Sequence, residues 1–491
     1  MLFNSFHFLV FFPVVTTLFF LLPHRIRWGL LLLASCYFYM VFKPEYILIL
    51  AFTILVDYYA GIWIADASGR RRRWFLILSI FANIGILAFF KYYNFLNDSL
   101  TAILGWSGAT NPIPVLDILL PIGLSFHIFQ SLSYTIEVYR GHQEPERHFG
   151  YYALYVMFYP QLVAGPIERP QNILHQLHEP QVLDYARMVS GLQLMAWGFF
   201  KKVVIADRLS AFVAGPYAAP ELYPGISLSL ATVAFAFQIY CDFSGYSDIA
   251  IGAAQVMGIR LMTNFRQPYF SRSIAEFWKR WHISLSTWFR DYVYISMGGN
   301  RVSPPRWYFN LLITFLVSGL WHGAAWTFVI WGGLNGVYLI VGVLKDRWLD
   351  SWRKGSPGRP PGFFARWRAV LVTFALTCVA WVFFRAESLS DAWLILRKLP
   401  TGLGALPSQV ADRGFIRQYL MLGQGREDVV VVTLALTVLF GVEVWQQRES
   451  VRGRVAGWPP VVRYALYYGV VAAILLFGAF NQSQNFIYFQ F

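Results

Sequence analysis

Long apolar runs separated by short polar loops organise this chain almost from its first residues. A bilayer crossing takes about 20 mostly apolar residues. Runs of that kind fall at roughly 7–23, 27–43, 45–66, 74–95, 113–136, 150–165, 186–214, 225–256, 308–331, 324–345, 369–386, 429–446 and 464–481. The run at 150–165 is short, and the overlapping runs at 308–345 read as two tightly packed helices or as one helix plus a re-entrant piece. The pattern predicts an all-α integral membrane protein with about 11 to 13 membrane segments. The first apolar run has no basic region before it and no small-residue cleavage site after it, so it reads as a spanning helix rather than a leader. No internal repeat marks the two halves of a transporter.

One stretch departs from this pattern. Over 272–290, Trp, Phe, Ile and Leu alternate with Arg, Lys, Glu and His at helical spacing. The segment is too polar to span and too aromatic for a loop, which predicts an amphipathic helix lying at the interface or tucked into a funnel.

Composition agrees with a lipid environment. Charged residues make up 13% of the chain, against about 25% in soluble domains. The net charge of +14 would suit a nucleic-acid partner if it formed a patch. Instead the basic residues sit in short loops: His24 to Arg27, Arg70 to Arg73, the group Lys345, Arg347, Arg353, Lys354, Arg359, Arg366 and Arg368, and the group Arg448, Arg452, Arg454 and Arg463. All four loops fall on one side if the amino terminus is outside, and the positive-inside rule makes that side the cytoplasm. The tail and the loop 387–428 are then expected outside. Cys36, Cys241 and Cys378 lie far apart in apolar stretches, so no disulfide framework or thiolate metal site is expected.

His322 is the only acid, lysine, arginine or histidine between Arg306 and Lys345. An ionisable group at such depth is costly and marks a functional candidate. Gly319 and Gly323 allow close approach beside it, and a neutral imidazole there can take a proton from an attacking hydroxyl. A core histidine bonded to a helix carbonyl is the alternative. His282, on the amphipathic stretch, suits either substrate positioning or an interfacial snorkelling role. With no carboxylate or thiol at ligand spacing, the two histidines predict no metal site. Gln238, Tyr240, Asp242, Ser244, Tyr246 and Asp248 share one otherwise apolar helix and need internal partners there. They read as a substrate-channel lining or as interhelical glue paired with Lys201, Lys202 or Arg280. Glue is favoured for Asp248, and Asp242 stays open. The stretch Gln161 to Pro170, with Gly165-Pro166, is either a helix broken at membrane depth around a cavity or a plain helix stop. Lys201, Lys202, Lys279, Arg280 and Arg290 could hold coenzyme phosphates, although topology alone accounts for such charges. The final residues, Phe486 to Phe491, are aromatic where a free tail is usually polar. They either fold back between helices, bringing Tyr488 toward the site, or anchor at the outer interface.

Several blocks carry a family likeness: Leu31 to Tyr39, Phe89-Phe90-Lys91-Tyr92, Leu120 to Phe126, Ala164-Gly165-Pro166, Asp242 to Asp248, Asn264-Phe265 with Pro268-Tyr269, Glu276 to Ser286, Gly298 to Arg301, and Gly319-Leu320-Trp321-His322-Gly323. Together they resemble the membrane-bound O-acyltransferase family over nearly the whole chain, and within it the bacterial alginate O-acetyltransferase branch. The resemblance implies a single polytopic domain over 1–491 with an aromatic tail at 481–491. It also implies about eleven spans with re-entrant and interfacial helices around a central funnel. His322 matches the family's histidine and His282 the second histidine of this branch, with Asn264, Ser318 and Trp321 joining the substrate channel. Tyr488 is the implied acyl-carrier candidate.

The implied donor is acetyl-CoA, bound from the cytoplasm of a bacterial inner membrane. The implied acceptor is an extracytoplasmic polysaccharide: an alginate-like exopolymer first, with peptidoglycan and cellulose open. Membrane lipid and an extracytoplasmic acetyltransferase partner are expected, and nucleic acid is not. A lipid acyltransferase and a membrane transporter are the competing readings.

Overall fold

The computed structural model describes residues 1–353, 362–402, 404, 406–449, 451–480 and 486–487. Among them every regular element is helical. Among the described residues, eight helices are long and apolar enough to cross a membrane: Pro44–Asp66, Gly69–Trp106, Tyr185–Ala218, Gly225–Val256, Trp326–Leu349, Phe363–Arg385, Arg426–Gln446 and Pro460–Phe477. No residue of Pro460–Phe477 is fully buried, although Ala473 and Ile474 pack against the core.

The remaining expected spans are shorter or broken, for local reasons. Phe6–Leu21 and His24–Met40 run 16 and 17 residues. The expected 113–136 run becomes helical only at Leu124, after Pro121 and a left-handed Gly123 at φ 75°, because a proline disfavours helix in the residue before it. The 150–165 run splits into Phe149–Met157 and Tyr159–Leu162 at Phe158, just before Pro160. Beyond it, Val163, Ala164, Ile167 and Glu168 are buried in irregular backbone. Glu168 accepts hydrogen bonds from the main chain of Met262 and from Asn172. The 308–345 region resolves into two helices, Pro304–His322 and Trp326–Arg353. Prolines at the first turn suit the start of the former, where a main-chain N–H has no partner to lose.

The chain forms two compact units, one of residues 1–196 and 246–262, the other of 197–245 and 263–491. In the first unit, Asp57 is fully buried and accepts from Ser79 Oγ at 2.7 Å and Asn83 Nδ2 at 2.9 Å. These are the neutral donors a carboxylate needs at that depth. Tyr246, expected in the channel, packs here against Phe3 with ring centroids 4.4 Å apart.

In the second unit the most extensive helix contact among the described residues joins Pro304–His322 to Trp326–Arg353. A Cβ on Gly319 would lie 2.3 Å from the Phe328 carbonyl oxygen, and one on Gly332 would lie 2.3 Å from that of Phe315. Membrane helices commonly approach through such small residues.

The stretch 272–290 does not form the single amphipathic helix that its periodicity predicts. It folds as Ile274–Trp278, a turn, and Ile283–Phe289, followed by a π-helical segment Arg290–Tyr294. Ser273 caps the first piece by accepting from Glu276 N at 3.1 Å. The apolar positions Phe277, Trp281, Leu285 and Phe289 are nevertheless all buried.

Candidate active site

His322 closes the Pro304–His322 helix and is 3% exposed. Three rings surround its imidazole edge to face: Trp321 and Trp331 at 4.9 Å and Phe384 at 5.4 Å between centroids. Trp331 comes from the next helix and Phe384 from Phe363–Arg385. Gly323 follows at the helix end, where a Cβ would sit 2.1 Å from the Phe328 ring. The glycine therefore lets that ring seat against the box. Such surroundings keep bulk water from the imidazole.

His282 lies between the two short helices in a left-handed conformation, φ 42°. That costs a non-glycine residue about 1–2 kcal/mol. A hydrogen-bonded clamp from Asn264 holds it there. The main-chain N–H of Ile283 donates to Asn264 O at 2.9 Å. The main-chain N–H and hydroxyl of Ser284 reach Asn264 Oδ1 at 3.2 and 3.0 Å. A main-chain N–H can only donate, so the Asn264 atom it meets is the carbonyl oxygen. His282 Nδ1 lies 3.1 Å from that oxygen and therefore carries the proton, which makes Nε2 the basic nitrogen of the ring. Burial also pushes the His282 pKa well below the ordinary histidine range. The Trp321 ring lies 6.2 Å from His282 as well as 4.9 Å from His322, so one indole contacts both imidazoles.

The polar helix behind them resolves in several directions. Lys202 Nζ bridges Asp207 at 2.8 Å and Asp242 at 2.7 Å, all three side chains about 5% exposed or less. Lys201 Nζ donates to Ser244 Oγ at 2.8 Å. Both ammonium groups expected at a coenzyme are thus committed to internal partners, and Asp242 falls on the ion-pair side of the question that the sequence left open. Tyr240 donates its hydroxyl to Glu443, and Gln238 is half-buried on the same helix. Of the tail, Phe486 and Ile487 are buried, and Tyr488 lies outside the described residues.

A cavity of about 860 Å³ opens in the same unit. Its exposed lining carries Arg272, Lys279, Arg290, Lys345 and Arg368 against one carboxylate, Asp346. Its buried lining is mostly apolar, with Trp278, Leu285 and Phe289, and includes the hydroxyls of Thr314 and Ser318. Ser318 precedes His322 by one helical turn. Trp278 also packs on Trp331 at 5.7 Å, so a ring of the cavity wall touches a ring of the histidine box. Lys279 and Arg290 lie on this exposed rim, where Arg290 Nε also pairs with Asp291 Oδ1 at 2.7 Å. Arg280 is not part of the cavity lining and bonds Glu276 Oε1 at 2.6 Å.

Sequence reasoning missed Trp331, Phe384 and Glu443. Helical periodicity marks the two rings as core without saying which group they face. Glu443 carries a readable signal as the lone acid in the inner half of a spanning helix.

The profile of the membrane-bound O-acyltransferase (MBOAT) family matches residues 146–378, which include both histidines. The chain is 42% identical over 398 residues to the probable alginate O-acetylase of Azotobacter vinelandii, covering 80% of this chain and 77% of that protein. It is 35% identical over 395 residues to the peptidoglycan O-acetyltransferase of Helicobacter pylori, covering 75% and 72%. It is 28% identical over 293 residues to the teichoic acid D-alanyltransferase of Streptococcus thermophilus, covering 55% and 69%.

Proposed function

Since the chain belongs to the membrane-bound O-acyltransferase family, we propose that it carries acetyl groups from cytoplasmic acetyl-CoA toward the O-acetylation of an extracytoplasmic polysaccharide. The carrying observation is the cavity with a cationic rim, an apolar wall and a hydroxyl, that of Ser318, one turn from His322. Coenzyme A has the matching shape, with phosphates at one end and a pantetheine thioester at the other. Lys279 and Arg290 bind the phosphates at the rim. Lys345 and Arg368 of the rim flank a basic segment, and the positive-inside rule supports a cytoplasmic rim with both chain ends outside the inner membrane.

In the reaction, His322 takes the proton from a hydroxyl as its oxygen attacks the thioester carbonyl. The carbon–sulfur bond of the tetrahedral intermediate breaks, and the imidazolium returns the proton to the departing thiolate. The products are an acetyl ester and free coenzyme A. His282, with its basic Nε2, orients the hydroxyl. Tyr488 is that hydroxyl, and its phenyl acetate is consumed by an extracytoplasmic acetyltransferase. This division solves a physical problem: coenzyme A is too polar to cross the apolar core, while the polymer lies beyond it. The alginate relative at 42% identity supports an alginate-like acceptor, and the Helicobacter relative makes peptidoglycan the second choice.

Purified protein given acetyl-labelled coenzyme A is expected to acquire label that hydroxylamine removes, and Tyr488→Phe is expected to lose it. Label found only in lipid would reject the reading. Lys279→Glu and Arg290→Glu are each expected to raise the donor KM about tenfold, since one charge-assisted hydrogen bond contributes roughly 1.5–3 kcal/mol, with kcat little changed. Unchanged KM values in both variants would remove the phosphates from this rim.

A further inference from the structure

The segment 200–208 and the end of the chain meet at several fixed points. Residues Phe200–Ala206 are π-helical, a geometry that shifts carbonyls out of the ordinary helical register. The Val203 carbonyl accepts from the main-chain N–H of Ala479 at 2.9 Å. Arg208 Nε donates to the Phe477 carbonyl at 2.8 Å. Further on, the main-chain N–H of Ile487 donates to Asp242 Oδ2 at 2.8 Å, while Lys202 holds Oδ1 of the same carboxylate at 2.7 Å. Phe486, fully buried, packs on Phe243 at 5.6 Å, and Phe243 meets His282 edge to face at 4.5 Å. The docking carboxylate and the ring that touches the histidine are thus consecutive residues of one helix.

Lys202 already has a counter-ion in Asp207 at 2.8 Å. A second carboxylate in the same buried place carries a desolvation penalty and repels the first, so it needs a further donor. The Ile487 N–H is that donor. Because the contact is to main chain, it fixes the position of the chain just before residue 488 whatever side chain stands at 487.

We infer that Asp242, held by Lys202, is a positioning residue that docks the main chain at Ile487, the residue before the proposed acyl carrier. This rests on the acyl-carrier reading above, and the experiment separates the two. In the full-length protein, Ile487→Pro deletes the donated N–H, whereas Ile487→Val keeps it. Ile487→Pro is expected to lower kcat for acetyl transfer roughly 10- to 100-fold, as misplacing a reacting group does, with the donor KM within about twofold. Ile487→Val stays within about twofold of the parent in both constants. With Tyr488→Cys added, maleimide modification at residue 488, read by mass spectrometry, is expected to accelerate about tenfold or more in the proline variant as the docked segment opens. Equal labelling in the proline and valine variants would overturn the docking. Faster labelling with unchanged kcat would overturn the positioning role. Full transfer by Tyr488→Phe would overturn the carrier reading alone, leaving the labelling comparison to decide the dock.

Discussion

Replacing His322 with alanine is expected to lower acetyl transfer by roughly 10²–10⁴-fold, the range a general base supplies, in a protein that still extracts from membranes and elutes as a folded species. The reasoning begins with place. The imidazole sits 3% exposed at a helix end, boxed by Trp321, Trp331 and Phe384. An attacking hydroxyl needs a base to take its proton, and the imidazole is the group that the box encloses. His322→Gln sharpens the test, because glutamine fills most of the volume and can hydrogen-bond but cannot carry a proton away. If the histidine only supports packing, glutamine restores activity. If it is the base, glutamine is as inactive as alanine while thermal unfolding returns toward the parent. Transfer at the parent rate in either variant would remove His322 from the chemistry.

That prediction uses a residue legible from the sequence, and the reason is physical. A lone histidine in 38 apolar-dominated positions between Arg306 and Lys345 has no cheap explanation in lipid. The wall around it was not legible. Trp331 and Phe384 lie on ordinary apolar helices, where every ring fits the periodicity and nothing local distinguishes the one that meets the imidazole.

Lys201 and Lys202 illustrate a choice that the sequence leaves open. Within the apolar run 186–214 they read as coenzyme-binding charges or as partners of the polar helix, and the fold brings Asp207, Asp242 and Ser244 to them. The stretch 272–290 misleads for a related reason. Its periodicity is helical, but Asn264, 18 residues before His282, binds the main chain at 283 and 284 and bends it at the histidine. Apolarity also leaves helix breaks unmarked, because it registers hydrophobic length without registering Phe158 before Pro160 or the turn at Pro121 and Gly123. The membrane class and the order of helices were carried by hydropathy, a long-range average. The site depended on pairwise contacts that no average records.

Gly319→Ala is expected to reduce transfer about 100-fold, the loss that a displacement of about 1 Å produces at a reacting group, and to lower stability by roughly 1–3 kcal/mol, as overpacking does. The added Cβ would lie 2.3 Å from the Phe328 carbonyl oxygen and 3.2 Å from Gly332 Cα. Both neighbours are backbone, so neither can rotate aside, and the two helices must part. His322 follows three residues later on one helix, and Trp331 adjoins Gly332 on the other. Parting the helices therefore pulls one wall of the box from the imidazole. Gly333→Ala supplies the control. It lies next to Gly332 on the same helix, where a Cβ would meet only Leu316 Cδ2 at 3.6 Å. Alanine is about 1 kcal/mol better than glycine inside a helix, so that variant should be as stable as the parent or slightly more so, with transfer unchanged. Thermal unfolding in detergent and kcat, measured on both variants, check the pair. Parent-like kcat in Gly319→Ala, with the loss of stability observed, would mean that the reaction does not depend on how closely Trp331 is held to His322.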